Sequence, residues 1–180
     1  MENNTFIRTF ASYIPLRAIN RTVMVTFTDS SYLESFYSSY QISHLEQYPN
    51  LIIAAVDLKS YFILLQQGYP VAYYRSTGLD ESQSNMESTF ESSNWREKMV
   101  NKIKIIRQSV LIGYNILLFD SDVMFFRDPI PYILSLDGYD LIAQKDLLVC
   151  AGFMYVFLER RTAKHTFIHS SLLNPFSGHS

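Results

Sequence analysis

The sequence predicts an α/β domain: a mostly parallel sheet with helices on both faces. Three observations carry this. Short β-branched or wholly apolar runs alternate along the chain with segments of helical periodicity. Residues 51–56 are continuously apolar, as a strand covered on both faces would be. Polar residues close the runs at Thr28-Asp29, Asp57 and Asp120-Ser121-Asp122. Ligands of such sheets bind at the carboxyl ends of the strands. Those three places are therefore expected to share one cleft.

Residues 22–28, Thr-Val-Met-Val-Thr-Phe-Thr, read as the first strand. Ser31 is placed as a helix cap with Glu34 as its capping-box partner. Leu33, Phe36, Tyr37, Tyr40 and His44 then follow helical spacing. The strand 51–56 ends at Asp57. A helix over 58–67 stops at Gly68, with Pro70 just beyond, and a short strand follows at 71–74. Residues 76–93 are polar, Ser/Glu-rich and aperiodic, and read as a long loop of the kind used for lids. Asn94 and Glu97 offer a second capping box. The helix after it sets Met99, Ile103, Ile106 and Val110 on one face and ends at Gly113. A strand over 115–119 delivers Asp120. Pro129 and Pro131 open a short helix ending near Gly138. Strands are expected at 140–144 and 153–158, and a final helix at about 162–173. Residues 1–21 form an N-terminal extension, and residues 22–180 form the domain.

The bulk numbers agree with one globular domain. A chain of 180 residues can bury roughly 70% of its unfolded surface. It is 48% hydrophobic and 18% charged. Net charge is −2 with no basic run, which argues against a nucleic-acid partner. Cys150 is the only cysteine, so no disulfide forms within the chain. No stretch reaches the ~18 apolar residues of a membrane span. The first residues lack the charged-then-apolar pattern of a signal peptide. The expectation is a cytosolic protein or a piece of a longer chain. Asn-x-Thr sequons at Asn3 and Asn20 lean toward a secretory origin.

The chemistry concentrates at Asp120 and Asp122. An apolar strand delivers two carboxylates at i and i+2, which share a face in extended backbone. Crowded carboxylates repel, and one pKa rises unless a cation separates them. Oxygen ligands suit Mg²⁺ or Mn²⁺ and leave coordination positions for phosphate oxygens. Such a metal neutralises a diphosphate leaving group. Two further readings stand beside this one. The pair could be ordinary turn residues at a strand end. Asp120 could be the aspartyl nucleophile of a Mg²⁺-dependent phosphatase. Against that, the motif follows several βα elements and precedes Val123-Met124. Likewise Asp57 could cap the next helix, Lys102 could be a solvated helix residue, and Gly152 could merely allow close strand packing.

Lys102, Leu111, Gly113, Tyr114, Asp120, Asp122, Arg127, Asp128 and Pro129 form a block whose order and spacing are similar to a known family. Asp140-Leu141-Ile142-Ala143-Gln144 with Ala151-Gly152-Phe153, and Ala54-Ala55-Val56-Asp57 upstream, add to the match. Together they resemble the nucleotide-diphospho-sugar transferase domain family, related to glycosyltransferase family 77. The resemblance implies a GT-A fold with a Rossmann-like sheet. It implies a Mn²⁺- or Mg²⁺-dependent glycosyltransferase moving a sugar, with retention, from a nucleotide-sugar donor (a UDP-sugar) to a hydroxyl of a glycan or glycoprotein acceptor. Golgi or secretory-lumen residence follows the same resemblance. Asp122 is then the main metal ligand, and Asp120 binds metal-bound water or the ribose. Thr28, Asp57, Lys102 and Ser121 line the nucleotide side. Gln144 and Gly152 border the sugar, and Asp146 is the nearest carboxylate to test as a sugar contact. No catalytic base or nucleophile is named. The chain departs from the pattern where Cys150 replaces an Asn two places before Gly152. His165, His169 and His179 lack the context of the family's further His ligand, although His165 and His169 would share a helix face. The domain is expected to be incomplete at its C-terminal side, so a noncatalytic nucleotide-sugar-binding module remains the alternative.

Overall fold

The computed structural model describes residues 7–75, 93–136, 138–145, 149–158 and 165–169. In chain order the elements are α1 (Phe10–Arg17), β1 (Thr22–Thr28), α2 (Leu33–Ile42), β2 (Leu51–Ala55), α3 (Leu58–Gln66), β3 (Val71–Tyr73), α4 (Ser93–Leu111), β4 (Asn115–Asp120), α5 (Ile130–Ser135), β5 (Leu141–Lys145), β6 (Val149–Val156) and β7 (His165–His169). Of the loop expected at 76–93, residues 76–92 lie outside the described residues, as does Asp146, and Ser93 begins α4.

One sheet runs in the order β3-β2-β1-β4-β6-β5-β7. The first four strands are mutually parallel. β6 runs antiparallel to both neighbours, and β7 lies parallel to β5. The chain steps outward from β1 to β2 and β3, then returns to place β4 on the other side of β1. That reversal opens a crevice at the carboxyl ends of β1 and β4.

Side-chain alternation explains the two-faced burial. Val23, Val25, Ile116 and Leu118 pack under α1 and α4 with Phe10, Ile14 and Ile105. Met24, Leu117 and Phe119 face the opposite layer with Phe125 and Ile133. Ile53 and Ala55 meet Phe36, Tyr61 and Leu64 of α2 and α3 on that second face. Period-2 alternation thus sends each strand's neighbours to opposite layers. Within the stretch read as an extension, Phe10–Arg17 form α1 of the first layer, where Phe10 and Ile14 are buried.

Both predicted helix stops are present and have the same geometry. Gly68 and Gly113 adopt φ of +80° and +96°. Tyr69 and Tyr114 then donate backbone N–H groups to Leu64 and Ser109 carbonyls, while Gly68 and Gly113 donate to Leu65 and Val110. This bond pair closes a helix only with a left-handed residue at its end, the conformation glycine adopts most cheaply.

Five local expectations are corrected. Ser31 does not cap α2: Tyr32 occupies the cap without a side-chain bond, and Ser31 donates to Asp29 instead. His44 leaves the helix with φ +48°, so α2 ends at Ile42. Asn94 lies inside α4, which begins at Ser93. The buried face of α4 carries Asn101, Lys102, Ile105 and Ser109, while Ile103 is 58% exposed. Periodicity misplaced that face because three of its buried residues are polar, and Lys102 is turned inward onto Asp120. The segment expected as a final helix contains β7. His-Thr-Phe-Ile-His is rich in β-branched and aromatic residues, and pairing with the β5 edge prevails over helical spacing.

Candidate functional site

The cleft is built where β1 and β4 end side by side, with Phe27 of β1 opposite Asp120 of β4. Asp120 lies on the α4 face of the sheet, two residues after Leu118. Lys102 comes down from α4 onto it. Its Nζ is 2.7 Å from Oδ1 and 2.9 Å from Oδ2, and it donates its hydrogen bond to Oδ2. The lysine side chain is only 4% exposed, and its ammonium stands 5.3 Å from the centre of the Phe27 ring. Lys102 is therefore a buried partner of Asp120 rather than a solvated helix residue. Burial pushes the Asp120 carboxyl above the usual aspartate value. The Lys102 charge and hydrogen bond oppose that rise, and Asp122 adds to it. Desolvation wins over the ion pair.

Asp122 does not continue the strand. Val123 donates its N–H to the Asp120 carbonyl at 3.1 Å, closing a turn with Ser121 and Asp122 at its centre. The expected shared face of an extended strand is thus replaced by a β-turn. The two carboxylates remain electrostatically coupled through it. Asp122 is exposed and has no hydrogen bond or ion pair among the described residues. One acid of the pair is neutralised and held, while the other faces outward.

Side chains that sequence reasoning did not single out hold this turn. Ser39 of α2 donates to the Val123 carbonyl. Phe125 donates its N–H to Ser43 Oγ at 2.7 Å, and its ring packs 4.9 Å from Phe119 and 5.9 Å from Phe153. Both serines are buried. Their only trace in the sequence is a polar residue on the apolar face of a helix. Asp128 accepts the Ile130 N–H at 2.9 Å and sets the start of α5.

The first wall of the cleft is also fixed by acids. Asp57 caps α3, accepting the Ser60 N–H at 2.8 Å and the Ser60 hydroxyl at 3.0 Å. It also accepts the Ser30 N–H at 2.8 Å, tying the β1–α2 turn to α3. The capping role is the one seen. Asp29 accepts the N–H and hydroxyl of Ser31 and shapes the same turn. Thr28 is 2% exposed, its hydroxyl donating to the Asp29 carbonyl, so it forms floor rather than surface.

β6 brings the second motif block alongside. Its pairing with β4 ends at Phe119 and Phe153, making Asp120 and Gly152 the next residue on each strand. Against β5 the register jumps from Ala143–Met154 to Gln144–Cys150, a bulge containing Gly152. Bulges of this kind recur beside functional sites because they re-aim a strand. Gly152 is buried there, and Gln144 follows the jump on β5. The structure thus brings together Thr28, Lys102, Asp120, Ser121, Asp122 and Gly152, with Asp57 one strand over.

Two carboxylates, Asp120 and Asp122, are what the described residues offer a metal; no group of three or more His, Cys, Asp or Glu gathers among them. A metal held here would complete its shell with ligand and water oxygens. The residues fit one held chiefly by Asp122, which is open; Asp120 Oδ1 is buried 2.7 Å from the Lys102 ammonium and would meet a metal through its water.

Residues 46–162 match the nucleotide-diphospho-sugar transferase family model. The chain is 30% identical over 138 residues to beta-arabinofuranosyltransferase RAY1 of Arabidopsis thaliana, covering 75% of this chain and 25% of that protein. It is 22% identical over 135 residues to arabinosyltransferase XEG113 of the same plant, covering 74% of this chain and 20% of the other. An uncharacterized Arabidopsis thaliana protein is 26% identical over 174 residues, 84% of this chain and 50% of its own length. The chain belongs to the nucleotide-diphospho-sugar transferase family, and it spans half or less of the length of these relatives.

Proposed function

We propose that this chain forms the donor-binding part of a glycosyltransferase that takes a nucleotide-sugar, with UDP as the nucleotide, and transfers the sugar with retention to a hydroxyl of a glycan or glycoprotein. The observation that carries the proposal is the divided acid pair. Lys102 neutralises Asp120 at the β1–β4 crevice, and Asp122 is left outward-facing on the turn. The relatives' names favour an arabinosyl group as the sugar.

In this reading Asp122 is the main ligand of a Mn²⁺ or Mg²⁺ ion, and Asp120 binds its water or the ribose. The ion, when bound, offsets the negative charge of the departing diphosphate. Lys102 fixes the orientation of Asp120 and supplies a buried positive charge beneath the phosphates. Ser39 and Ser43 keep the turn closed, so Asp122 is presented without reorganisation. Asp57 and Asp29 hold the nucleoside wall, with Thr28 beneath it. Gln144, Gly152 and Asp146 border the sugar. By resemblance to the family we place it in the Golgi or secretory lumen; no helix among the described residues is long and apolar enough to cross a membrane.

The test is calorimetric titration with UDP in the presence of Mn²⁺. Binding that requires metal and disappears in Asp122→Ala supports the proposal, and metal-independent or absent binding refutes it. Hydrolysis of a UDP-sugar panel then separates a chain that turns over from one that only holds nucleotide.

A further inference from the structure

A second cavity of about 410 Å³ lies at the far end of the sheet, where β2 and β3 begin. It is lined by Arg8, Arg17, Tyr13, Tyr40, Tyr48 and Tyr69 among others. The donor cleft lies at the opposite, carboxyl ends of these strands.

Two arginines converge here and are held in place. The Arg8 backbone receives the Tyr73 N–H at 2.8 Å and donates to the Tyr61 hydroxyl at 3.0 Å. Arg17 Nε donates to the Leu51 carbonyl at 3.1 Å. Both guanidinium groups lie against one ring, Tyr13, at 4.3 and 6.0 Å from its centre. Neither has an ion pair among the described residues. Glu46 also borders the cavity, but its side chain is 58% exposed and lies beside His44, 3.3 Å away. Two like charges gathered on one aromatic ring repel, and an oxoanion between them removes that repulsion through charge-assisted hydrogen bonds. Tyrosines complete the lining. Burial raises the hydroxyl pKa of Tyr40 and Tyr69, so both stay neutral donors. Flat rings with polar tips suit a ligand with apolar faces and a hydroxyl-bearing rim.

We infer that this cavity binds a short anionic saccharide, with its carboxylate or phosphate gripped by Arg8 and Arg17 and its ring against the tyrosines. The saccharide half of the inference rests on the glycosyltransferase reading; the anion half rests on the arginines alone. The site would hold a charged sugar of an acceptor or product chain away from the donor cleft.

The experiment is calorimetric titration of the 180-residue chain with glucuronate, glucose 6-phosphate, glucose and inorganic phosphate. The inference expects saturable binding of the two anionic sugars and binding weaker by about tenfold or more for glucose, the worth of one charge-assisted hydrogen bond. Arg8→Gln and Arg17→Gln should each weaken the anionic sugars by a similar factor. Arg17→Gln also loses the tie to Leu51, so Arg8→Gln, which leaves the backbone bonds in place, is the cleaner variant. Asp122→Ala should leave this binding unchanged, which separates it from the donor site. Glucose binding as tightly as glucuronate, inorganic phosphate matching glucose 6-phosphate, or insensitivity to both arginine variants would overturn it. Loss of binding in Asp122→Ala would do so too, by placing the sugar in the donor cleft. Absence of UDP binding alongside intact, arginine-dependent binding of anionic sugars would sink the donor proposal and leave this one standing.

Discussion

Lys102 of α4 and Asp120 of β4 form an ion pair at the carboxyl end of β4: an ammonium 2.7 Å from a carboxylate, with the lysine buried and the acid partly open. Removing one member of a buried pair leaves the other charged and unsolvated. Lys102→Met should therefore destabilise the fold by about 1–3 kcal/mol, the lower range being set by the partial exposure of Asp120. Urea unfolding measures this. Adding Asp120→Asn to Lys102→Met should recover part of the loss, and a double mutant no better than the single one would show that the pair is uncoupled.

The pH dependence of the same group decides which force wins. The Asp120 carboxyl is raised above 3.8 by burial, despite Lys102. From 3.8 up to its raised folded value, the folded chain holds a proton that the unfolded chain has lost. Stability supplied by this group must therefore fall as pH rises through that window, and stay flat above it. Subtracting the Asp120→Asn curve from wild type isolates the effect. A difference that rises with pH would mean that Lys102 outweighs desolvation.

Asp57→Ala should cost about 1–3 kcal/mol, because it removes the cap of α3 and the tie to Ser30 together. Asp57→Asn should retain part of the cap. A variant that weakens nucleotide binding with unchanged stability would instead assign Asp57 to the ligand alone.

Gly113→Ala should cost about 1–2 kcal/mol through its left-handed φ. The added methyl would meet only Arg21 at 3.7 Å, so backbone strain is the whole cause. Thermal unfolding reads the change, and an unchanged midpoint would mean that α4 can end without this turn.

The order of elements from β1 to β4 was legible because period-2 burial and glycine stops are local signals. Asp120 and Asp122 were legible because an apolar strand that ends on two acids marks the carboxyl edge of a sheet, where ligands bind. Their geometry was not, since a strand and a β-turn read alike over Asp-Ser-Asp until the Val123–Asp120 bond is seen. The buried face of α4 was misread for a related reason. Lys102 and Asn101 look like surface residues, and only their position over β1 and β4 turns them inward. Ser39 and Ser43 act on backbone 84 and 82 residues away, a separation that periodicity cannot register. β7 escaped because its strand character depends on the edge of β5.

The central claim is that Asp122 presents a metal ion to a nucleoside diphosphate. The direct measurement is thermal unfolding with saturating UDP and Mn²⁺, in wild type and in Asp122→Ala. Nucleotide at about 100 times its dissociation constant should add about 2.7 kcal/mol of stability to wild type. The gain should require metal and vanish in Asp122→Ala, with the unliganded stability of the variant unchanged. No gain from UDP with any divalent metal, or an equal gain in Asp122→Ala, would contradict the claim.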